Sequence, residues 1–472
     1  MIRDFVAILY GEEVVIVLVT AAFFTGLSFG YLLSLRLSRS VFEALFLASI
    51  FIHLTFPFSY RYCAVWLSSS DNNGVAFMAF MFAYALIFSS AFAAFLPQLI
   101  HGEGSGENTL QRLKLFYSFE LVGFVVGFAL VGWSWNRSLD QLLMVYWGLL
   151  SVVLYLALKD KLFTALFVGL AIWSSFQLPA RDLQSSQMLY EVKHGKDDSR
   201  MLMSINSPYQ KVEVLERPGG NKYLYLDGLL NLNSSDLETL NYYIATVPAS
   251  LIKPDKALII GNGTLSSVTK VYPHAKELKS VELDSGVLLA GQRYFTPPES
   301  LEGLERWSLQ IDDGKHFLKT SETIYDLIIM DIPSPLTVQE AVLHTAEFYQ
   351  LARSRLSESG VIAVQLSGPL QQNNRTPARV TAALAKAFKE IMVVDSEEGD
   401  RSFAYASDRL PFSLKQVRAF TEDFEDEDSL TLIGPEEVPA YLTEATPLQI
   451  DNLDLVLRRG WERFVGRYFD DD

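Results

Sequence analysis

Six long apolar segments in the first 180 residues constrain the fold of this chain more than any other feature. They cover residues 14–35, 44–67, 75–100, 116–135, 142–158 and 162–178. A helix needs about twenty mostly apolar residues to cross a bilayer. A cleaved signal peptide does not explain the pattern, because the segments repeat and no small-residue cleavage site follows the first. The sequence therefore predicts an N-terminal α-helical multi-pass membrane bundle of about six spans.

Small and charged residues inside these segments predict how the bundle packs. The pairs Gly26/Gly30 and Gly123/Gly127 have the spacing that lets two membrane helices approach closely, and we interpret both as packing within the bundle rather than dimerisation. Glu120 lies near the start of the fourth segment. An interfacial position is favoured for it over a functional acid inside the membrane.

Charge and cysteine content exclude several classes of function. The formal net charge is −16, and no cluster of Lys and Arg is present, so a nucleic-acid partner is not expected. Cys63 is the only cysteine, which excludes an intramolecular disulfide and thiolate metal clusters. The six histidines are scattered without ligand spacing, and no metal site is expected.

The composition changes after Pro179, and the remaining chain is predicted to be a soluble α/β part. Residues 1–180 form the membrane domain, and the polar residues 181–200 are predicted to be a linker. A small β-hairpin module follows at 201–250, then a Rossmann-like, methyltransferase-type nucleotide-binding domain at 251–410 and an acidic extension at 411–472. Strands and helices alternate from residue 256, which predicts a mostly parallel sheet with ligands at the carboxyl ends of its strands.

The first of these strands ends in a glycine turn. An apolar run stops at Gly261 and Gly263, a helix-compatible segment follows, and a second run ends at Glu282. Glycines let the backbone approach a ligand, and an acid about twenty residues on can hold both hydroxyls of a ribose. The pattern predicts a nucleotide-binding edge, although a tight strand-to-helix turn would produce it too.

Acids also follow the next two strands. Asp312, Asp313 and Gly314 come after the third strand, and Asp331 ends the fourth. Carboxylates at successive strand ends suit an adenosyl ligand, with one further acid directed at the reacting group. If Asp331 is partly buried beside other acids, its pKa should rise, which suits a general base.

Short motifs in the soluble half follow one another in a recognisable order. They are Ser-Pro-Tyr-Gln at 207–210, Leu-Tyr-Leu-Asp-Gly at 224–228, Val-Glu-Leu-Asp at 281–284, Ile-Asp-Asp-Gly at 311–314, Tyr-Asp-Leu-Ile-Ile-Met-Asp at 325–331, Glu-Phe-Tyr at 347–349, Gly-Val-Ile-Ala-Val-Gln at 360–365 and Phe-Ala-Tyr-Ala-Ser-Asp at 403–408. In this order they resemble the spermidine synthase (polyamine aminopropyltransferase) family. Its members transfer an aminopropyl group from decarboxylated S-adenosylmethionine to an amine. The helical half is similar to the N-terminal part of membrane-fused bacterial members.

The resemblance implies roles for individual residues. Gln210 would help hold the substrates, Glu282 would bind the ribose, and Asp331 would accept the proton of the attacking amine. Asp313 and Gly314 would contact the adenine. Gly261, Gly263 and Asp312 complete the donor side as the sequence predicts it.

The amine side departs from the family. Thr264 replaces the acid that grips the aminopropyl ammonium, and Ser334 replaces the acid that grips the far end of a diamine. Leu240-Asn241 stands where the family has Tyr-Gln or Tyr-His, whereas Asp236 is retained. Charge-assisted hydrogen bonds contribute roughly 1.5–3 kcal/mol each, so losing two carboxylates should weaken diamine recognition by orders of magnitude.

The resemblance implies an aminopropyltransferase in the bacterial inner membrane, with decarboxylated S-adenosylmethionine as donor, no metal, and a small amine or polyamine as acceptor. Two alternatives remain open, a methyltransferase that uses S-adenosylmethionine and a non-catalytic sensor or structural protein. Loop charges place the soluble half outside the cytoplasm if all six segments span, whereas donor supply places it inside. The bilayer is an expected partner, and the sequence leaves homo-oligomer formation open.

Overall fold

The structure, a computed structural model, describes residues 5–6, 12–34, 36–68, 73–95, 97, 108–133, 137–194, 198–333, 335, 337–396, 401–421, 424 and 430–468. The chain divides into two compact units. The first consists of Met1–Pro218, Leu226–Leu229 and Arg463–Asp472, and the second of Gly219–Tyr225 and Leu230–Glu462.

The first unit is built mainly from apolar helices. They are α1 (Glu12–Ser34), α2 (Arg39–Ser68), α3 (Asn73–Ala93), α4 (Asn108–Trp133), α5 (Leu139–Leu158) and α6 (Lys161–His194), followed by strands β1 (Arg200–Asn206) and β2 (Lys211–Glu216). The described part of each of the six predicted apolar segments lies mainly on one of these helices. Within the described residues, three helices are long and apolar enough to span a membrane, or four if the two parts of α2, which are bent by 82°, act as one span. Six spans remain a prediction.

The two glycine pairs of the bundle behave differently. A Cβ at Gly26 would collide with the Ser89 hydroxyl on α3, and one at Gly30 would meet the backbone of Ser90, so α1 and α3 pack closely through these glycines. No atom of the described chain lies within 4 Å of a Cβ built at Gly123 or Gly127. Close packing within the bundle therefore holds for the first pair, whereas the described residues show none at the second.

Glu120 lies on α4 and is partly buried. The hydroxyl of Tyr31 on α1 donates to its carboxylate at 2.8 Å. The acid thus has a partner within the helical unit.

Helix α6 continues through residues 181–194, where the sequence predicted a linker. One of the charged residues in this part of the helix, Asp182, is paired inside the unit. Arg61 Nη1 lies 2.5 Å from Asp182 Oδ1, and Lys211 Nζ lies 2.8 Å from Asp182 Oδ2 and 3.7 Å from Glu213 Oε1. All four side chains are at most 8% exposed. We call these four residues the Arg61 cluster.

Strands β3 (Lys222–Leu226) and β4 (Leu229–Asn233) follow β2 along the chain. Strands β2 and β3 cover the two segments from which a hairpin was predicted. The β-hairpin module itself stays a prediction.

The second unit contains an eight-stranded sheet and its covering helices. The strands are β5 (Lys256–Gly261), β6 (Glu277–Glu282), β7 (Trp307–Ile311), β8 (Tyr325–Asp331), β9 (Leu356–Gln365), β10 (Glu390–Ser396), β11 (Arg401–Ser407) and β12 (Leu430–Ile433). The helical segments are α7 (Leu237–Asn241), a π-helical turn (Tyr242–Thr246), α8 (Val247–Ile252), α9 (Ser266–Val271), α10 (Ser285–Tyr294), a 3-10 turn (Pro298–Ser300), α11 (Gly314–Thr320), α12 (Val338–Val342), α13 (Ala346–Arg353), α14 (Thr376–Ala387), α15 (Leu414–Thr421), α16 (Val438–Tyr441) and α17 (Asp454–Tyr468), which belongs to this unit up to Glu462.

The strand order is β12-β10-β11-β9-β8-β5-β6-β7. Strands β5 to β9 are parallel to their neighbours within this set, whereas β10, β11 and β12 pair antiparallel. The chain runs outward from β5 to β7 and then returns to β8 on the other side, so the order reverses between β5 and β8. Ligands of open α/β sheets bind at such a reversal, beyond the carboxyl ends of the strands. The Rossmann-like fold predicted for this part is confirmed.

The central strands are apolar because helices cover both of their faces. Leu258, Ile260, Ile328 and Met330 are at most 2% exposed and belong to one continuous core. Runs of this kind are typical of parallel strands, which are buried on two sides. The rigid sheet holds the polar residues at its carboxyl edge in fixed positions.

Candidate functional site

The glycine turn after β5 brings the backbone against the end of β8. Gly261 has a φ of +85°, and a Cβ there would collide with the carbonyl oxygen of Asp331. The backbone N–H of Asn262 donates to that same oxygen at 3.0 Å. Only glycine adopts this conformation without steric cost, so the approach of β5 to Asp331 depends on Gly261.

Gly263 brings the turn close to Glu282. A Cβ at Gly263 would collide with Val287 on α10 and would lie 3.4 Å from Glu282 Oε2. Gly291, one turn further along α10, likewise has no room for a side chain against the backbone of Gly263 and Thr264. The loop and α10 therefore pack backbone to backbone, which leaves the Glu282 carboxylate next to the turn.

Glu282 is held and perturbed by its surroundings. The backbone N–H of Asp284 donates to Glu282 Oε1 at 2.9 Å. The pKa of Glu282 is raised to about 7, mainly by burial and also by the charges of Asp284 and Asp331, against the opposing effect of hydrogen bonds from the backbone. A carboxyl group with this pKa changes charge near neutral pH.

The acids after β7 lie beside β6 but are partly engaged in local structure. The Asp312 backbone N–H donates to the Glu282 carbonyl at 3.1 Å, and His316 Nδ1 lies 2.9 Å from Asp312 Oδ1. Asp313 is the N-cap of α11, where its side chain accepts from the His316 N–H at 2.7 Å. A Cβ at Gly314 would meet Ile260 on β5. These three residues line the same sheet edge as Glu282.

Asp331 ends β8 and is partly buried. The pKa of its carboxyl group is raised to about 6, because burial outweighs the lowering by the Ser267 hydroxyl and by the positive charge of Arg401. Ser267 Oγ lies 3.1 Å from Asp331 Oδ2. The predicted rise in pKa is present, but its cause is burial rather than the neighbouring acids. Such a group is ionised at neutral pH and is a stronger base than an ordinary aspartate.

A chain of neutral polar groups connects Thr264 with Asp331. Thr264 Oγ1 lies 2.9 Å from Asn262 Oδ1 and 2.8 Å from Ser266 Oγ. Ser266 and Ser267 both donate to Asn241 Oδ1, at 3.3 and 2.8 Å. All five residues are at most 8% exposed. We call Asn241, Asn262, Thr264, Ser266 and Ser267 the neutral network.

One donor of the neutral network has no partner. Asn262 Nδ2 is buried and has no hydrogen bond within the described chain. A buried donor without a partner costs about 1–3 kcal/mol. An oxygen of a bound ligand would satisfy it.

The remaining predicted residues are placed as follows. Gln210 closes a tight turn in which its carbonyl accepts from the Ser207 N–H and hydroxyl. Asp236 precedes α7 and accepts from Asn233 Nδ2 at 2.7 Å. Ser334 lies outside the described residues. The roles of all three stay predictions.

Several residues of the site were missed by the sequence. Ser266 and Ser267 directly follow the glycine turn, and their position alone could have drawn attention to them. Arg401 begins β11, where no sequence pattern marks it. His344 is fully buried, with Nε2 3.0 Å from the Pro333 carbonyl and Nδ1 3.0 Å from the Tyr349 hydroxyl.

His344 fixes the segment that follows Asp331. Burial lowers its pKa to about 4, so the ring is neutral at physiological pH. In the neutral form one nitrogen donates and the other accepts. Nε2–H therefore donates to the Pro333 carbonyl, and Nδ1 accepts from the Tyr349 hydroxyl.

Together, the site offers a backbone turn, two carboxyl groups with raised pKa values and a neutral polar network at one sheet edge. Within the described residues, no group of three or more His, Cys, Asp or Glu side chains is placed to hold a metal ion. The arrangement can bind a hydroxyl-rich ligand and accept a proton.

Comparisons with known proteins agree on one family. Residues 239–395 match the spermine/spermidine synthase domain. The polyamine aminopropyltransferase of Alkaliphilus metalliredigens is 32% identical over 219 residues, which cover 44% of this chain and 76% of that protein. Polyamine aminopropyltransferase 2 of Aquifex aeolicus is 25% identical over 340 residues, which cover 68% of this chain and 66% of that protein.

Among solved structures, a spermidine synthase from Thermotoga maritima has a TM-score of 0.43 and 24% identity, over 52% of this chain and 87% of that chain. The family assignment comes from the domain match and the curated relatives, and this TM-score does not enter it. The chain therefore belongs to the spermine/spermidine synthase family of polyamine aminopropyltransferases, which are transferase enzymes.

Proposed function

We propose that this protein is a membrane-attached aminopropyltransferase that uses decarboxylated S-adenosylmethionine to alkylate an amine. The observation that carries the proposal is Asp331, a partly buried carboxyl group with a pKa of about 6 at the point where the strand order reverses. The curated relatives are polyamine aminopropyltransferases, and this name supports the same reaction here.

The donor would lie along the carboxyl edge of β5, β6 and β7. Glu282 would bind the ribose hydroxyls, and Asp313 and Gly314 would contact the adenine, with Gly261, Gly263 and Asp312 shaping the same edge. The Asp313 carboxylate already accepts from the His316 N–H, so an adenine amine would share an acceptor that local structure holds in place.

The reaction itself is a displacement at carbon. Asp331 accepts a proton from the acceptor ammonium, and the freed nitrogen lone pair forms a bond to the carbon of the aminopropyl group that is attached to sulfur. The bond from that carbon to the sulfonium sulfur breaks, and its electron pair leaves with sulfur as a neutral thioether, methylthioadenosine. Orienting the two reactants contributes more to the rate than any single group.

We propose further that residues 1–180 form a membrane domain of six spans. Among the described residues, three to four helices are apolar and long enough by themselves, and two shorter apolar helices, Tyr117–Leu130 and Asp140–Leu156, would complete the set. The Aquifex aeolicus match is longer than the whole stretch from Arg200 to the end, so it includes part of the helical region. The domains at 201–250, 251–410 and 411–472 are proposed as the sequence divides them, with 181–194 helical.

A separate experiment determines on which side of the membrane the soluble half lies. Donor supply favours the cytoplasm, and the loop charges favour the opposite side if six segments span. A reporter fused to the C-terminus decides between them: activity of a cytoplasmic reporter supports the enzyme proposal, and activity of a periplasmic reporter contradicts it.

The proposal is tested with the purified full-length protein, decarboxylated S-adenosylmethionine and a panel of amines. We expect methylthioadenosine to form in amounts equal to the aminopropylated amine. Asp331→Asn should lower kcat by about 10²–10⁴-fold, as expected for the loss of a general base. Asp451→Asn, at an exposed position, is the matched control and should leave the rate unchanged. Folded protein without turnover on any amine would refute the proposal and favour a non-catalytic role.

A second donor deserves a direct comparison because Thr264 is neutral. Its hydroxyl belongs to the neutral network and presents no charge to the donor's ammonium. Without an acid at this position, the carboxylate of S-adenosylmethionine is not repelled there. Calorimetry with both donors separates the two reactions: tighter binding of S-adenosylmethionine favours methyl transfer, and tighter binding of the decarboxylated donor favours aminopropyl transfer.

A further inference from the structure

The start of β11 lies at the same sheet edge as Asp331. Strand β11 is antiparallel to β9, with Phe403 opposite Gln365, and β9 is parallel to β8, with Val364 opposite Met330. The first residue of β11 therefore lies beyond the carboxyl ends of β8 and β9. That residue is Arg401.

Arg401 shares a face of the sheet with the neutral network. Side chains two residues apart on a strand point to the same face, which groups Arg401 with Phe403 and Tyr405. The Phe403 ring stacks on Tyr243 at 5.5 Å between centroids, and Tyr405 hydrogen-bonds the Tyr243 carbonyl. Tyr243 lies in the π-helical turn that directly follows Asn241, and this turn packs on β8 and β9.

The Arg401 guanidinium has no ion pair and no side-chain hydrogen bond within the described part of the chain, although the residue is only half-exposed. Its charge reaches Asp331 and lowers the pKa of that carboxyl group. Guanidinium groups in partly buried positions usually have a planar anionic partner. A bound carboxylate would supply one.

The charges around Asp331 do not suit a diamine. A diamine carries two ammonium groups, and the resemblance predicts an acid for the far one, but the neutral Ser334 stands at that position. The described site instead presents one carboxylate for an amine and one guanidinium, which would repel a second ammonium. A molecule with an amine at one end and a carboxylate at the other complements both.

We propose that Arg401 determines acceptor specificity and that the acceptor is an ω-amino carboxylate, whose amine faces Asp331 and whose carboxylate pairs with Arg401. This inference rests on the proposed aminopropyl transfer. The new bond forms at the amine nitrogen as before, and the acceptor carboxylate takes no part in the chemistry.

The test compares acceptors that differ only in one end group. The pairs are γ-aminobutyrate with putrescine and ε-aminocaproate with hexamethylenediamine, used with the full-length protein and decarboxylated S-adenosylmethionine. We expect at least one amino acid to have a higher kcat/KM than its matched diamine. Arg401→Gln should lower kcat/KM for that amino acid roughly 10- to 100-fold, mainly through KM, because one charge-assisted pair is lost. Arg401→Glu should move the preference to the diamine.

A matched control variant and a binding measurement test the role of Arg401 separately from turnover. Arg409 is exposed and lies just beyond the other end of β11, so Arg409→Gln should change neither acceptor. Binding of γ-aminobutyrate and ε-aminocaproate to protein saturated with methylthioadenosine is measured by calorimetry, in native protein and in Arg401→Gln. Binding that depends on Arg401 without any turnover would refute the proposed function and support only the pairing of Arg401 with a bound carboxylate. Preference for the diamines that Arg401→Gln does not change would overturn the acceptor inference alone.

Discussion

Replacing Ser267 with alanine tests whether Asp331 is the proton acceptor, because it alters the base without touching it. The Ser267 hydroxyl lies 3.1 Å from Asp331 Oδ2 and lowers the pKa of that group. A hydrogen bond to a charged group contributes about 1.5–3 kcal/mol, and one pKa unit corresponds to about 1.4 kcal/mol. The single hydroxyl proton is shared with Asn241 Oδ1 at 2.8 Å, so we expect the lower end, a rise of about one unit.

The direction of the effect follows from the charge of the active form. Asp331 must be a carboxylate to accept a proton, and the Ser267 hydrogen bond stabilises that form. With the pKa raised from about 6, the acid limb of kcat/KM should move to about pH 7. Ser267→Ala should then be roughly five-fold slower than the native protein at pH 6 and equal to it above about pH 8.5.

The assay is the pH dependence of kcat/KM for methylthioadenosine release, which reports the pKa of the free enzyme. Ser280→Ala is the control, since Ser280 is equally buried and accepts from Trp307 rather than contacting Asp331. An acid limb that stays in place or moves to lower pH, in folded Ser267→Ala protein, would refute Asp331 as the base.

Three further changes test the site and the bundle. Asp331→Asn should stabilise the fold by about 1–2 kcal/mol above pH 6, because burial disfavours the native carboxylate. The stabilisation should vanish below about pH 4, where the native group is protonated in both the folded and the unfolded protein, and melting midpoints at several pH values measure it. Asp182→Asn leaves Glu213 as the one carboxylate of the Arg61 cluster and should lower the free energy of unfolding by about 3–5 kcal/mol. Adding Lys211→Met should restore part of that stability, and thermal unfolding in detergent measures both variants. Gly261→Ala should lower donor affinity at least ten-fold in calorimetry, since its Cβ would push the turn away from Asp331.

The carboxyl edge of the sheet could be predicted because it depends on local sequence. A parallel strand is an apolar run that stops at a turn, and the residue after the stop must lie at the sheet edge. This reasoning placed Gly261, Glu282 and Asp331 near one another from spacing alone. The register between β5 and β8, with Gly261 opposite Asp331, then follows from the strand order.

The features that could not be predicted depend on residues far apart in the chain. Arg61 and Asp182 are separated by 121 positions, and nothing near either one indicates that it is paired. The continuation of α6 past Pro179 was missed for the same reason, since Asp182 appears there as an ordinary polar residue. Ser267 acts on Asp331 through a hydrogen bond and Arg401 acts through its charge, and both residues are distant from Asp331 in the sequence, so the strength and cause of the pKa shift required the structure.

The Arg61 cluster determines where this protein can be shortened. A fragment that begins at Arg200 would keep Lys211 and Glu213 but lose both Asp182 and Arg61. Lys211 would then lose the Asp182 carboxylate at 2.8 Å and keep only that of Glu213 at 3.7 Å. The helical side chains that now exclude water from Lys211 would also be missing. Because Lys211 directly follows Gln210, the loss would reach a residue predicted to hold substrate. The helices therefore supply charged partners to the first strands, and a soluble version of the enzyme would need either new partners for Lys211 and Glu213 or uncharged residues in their places.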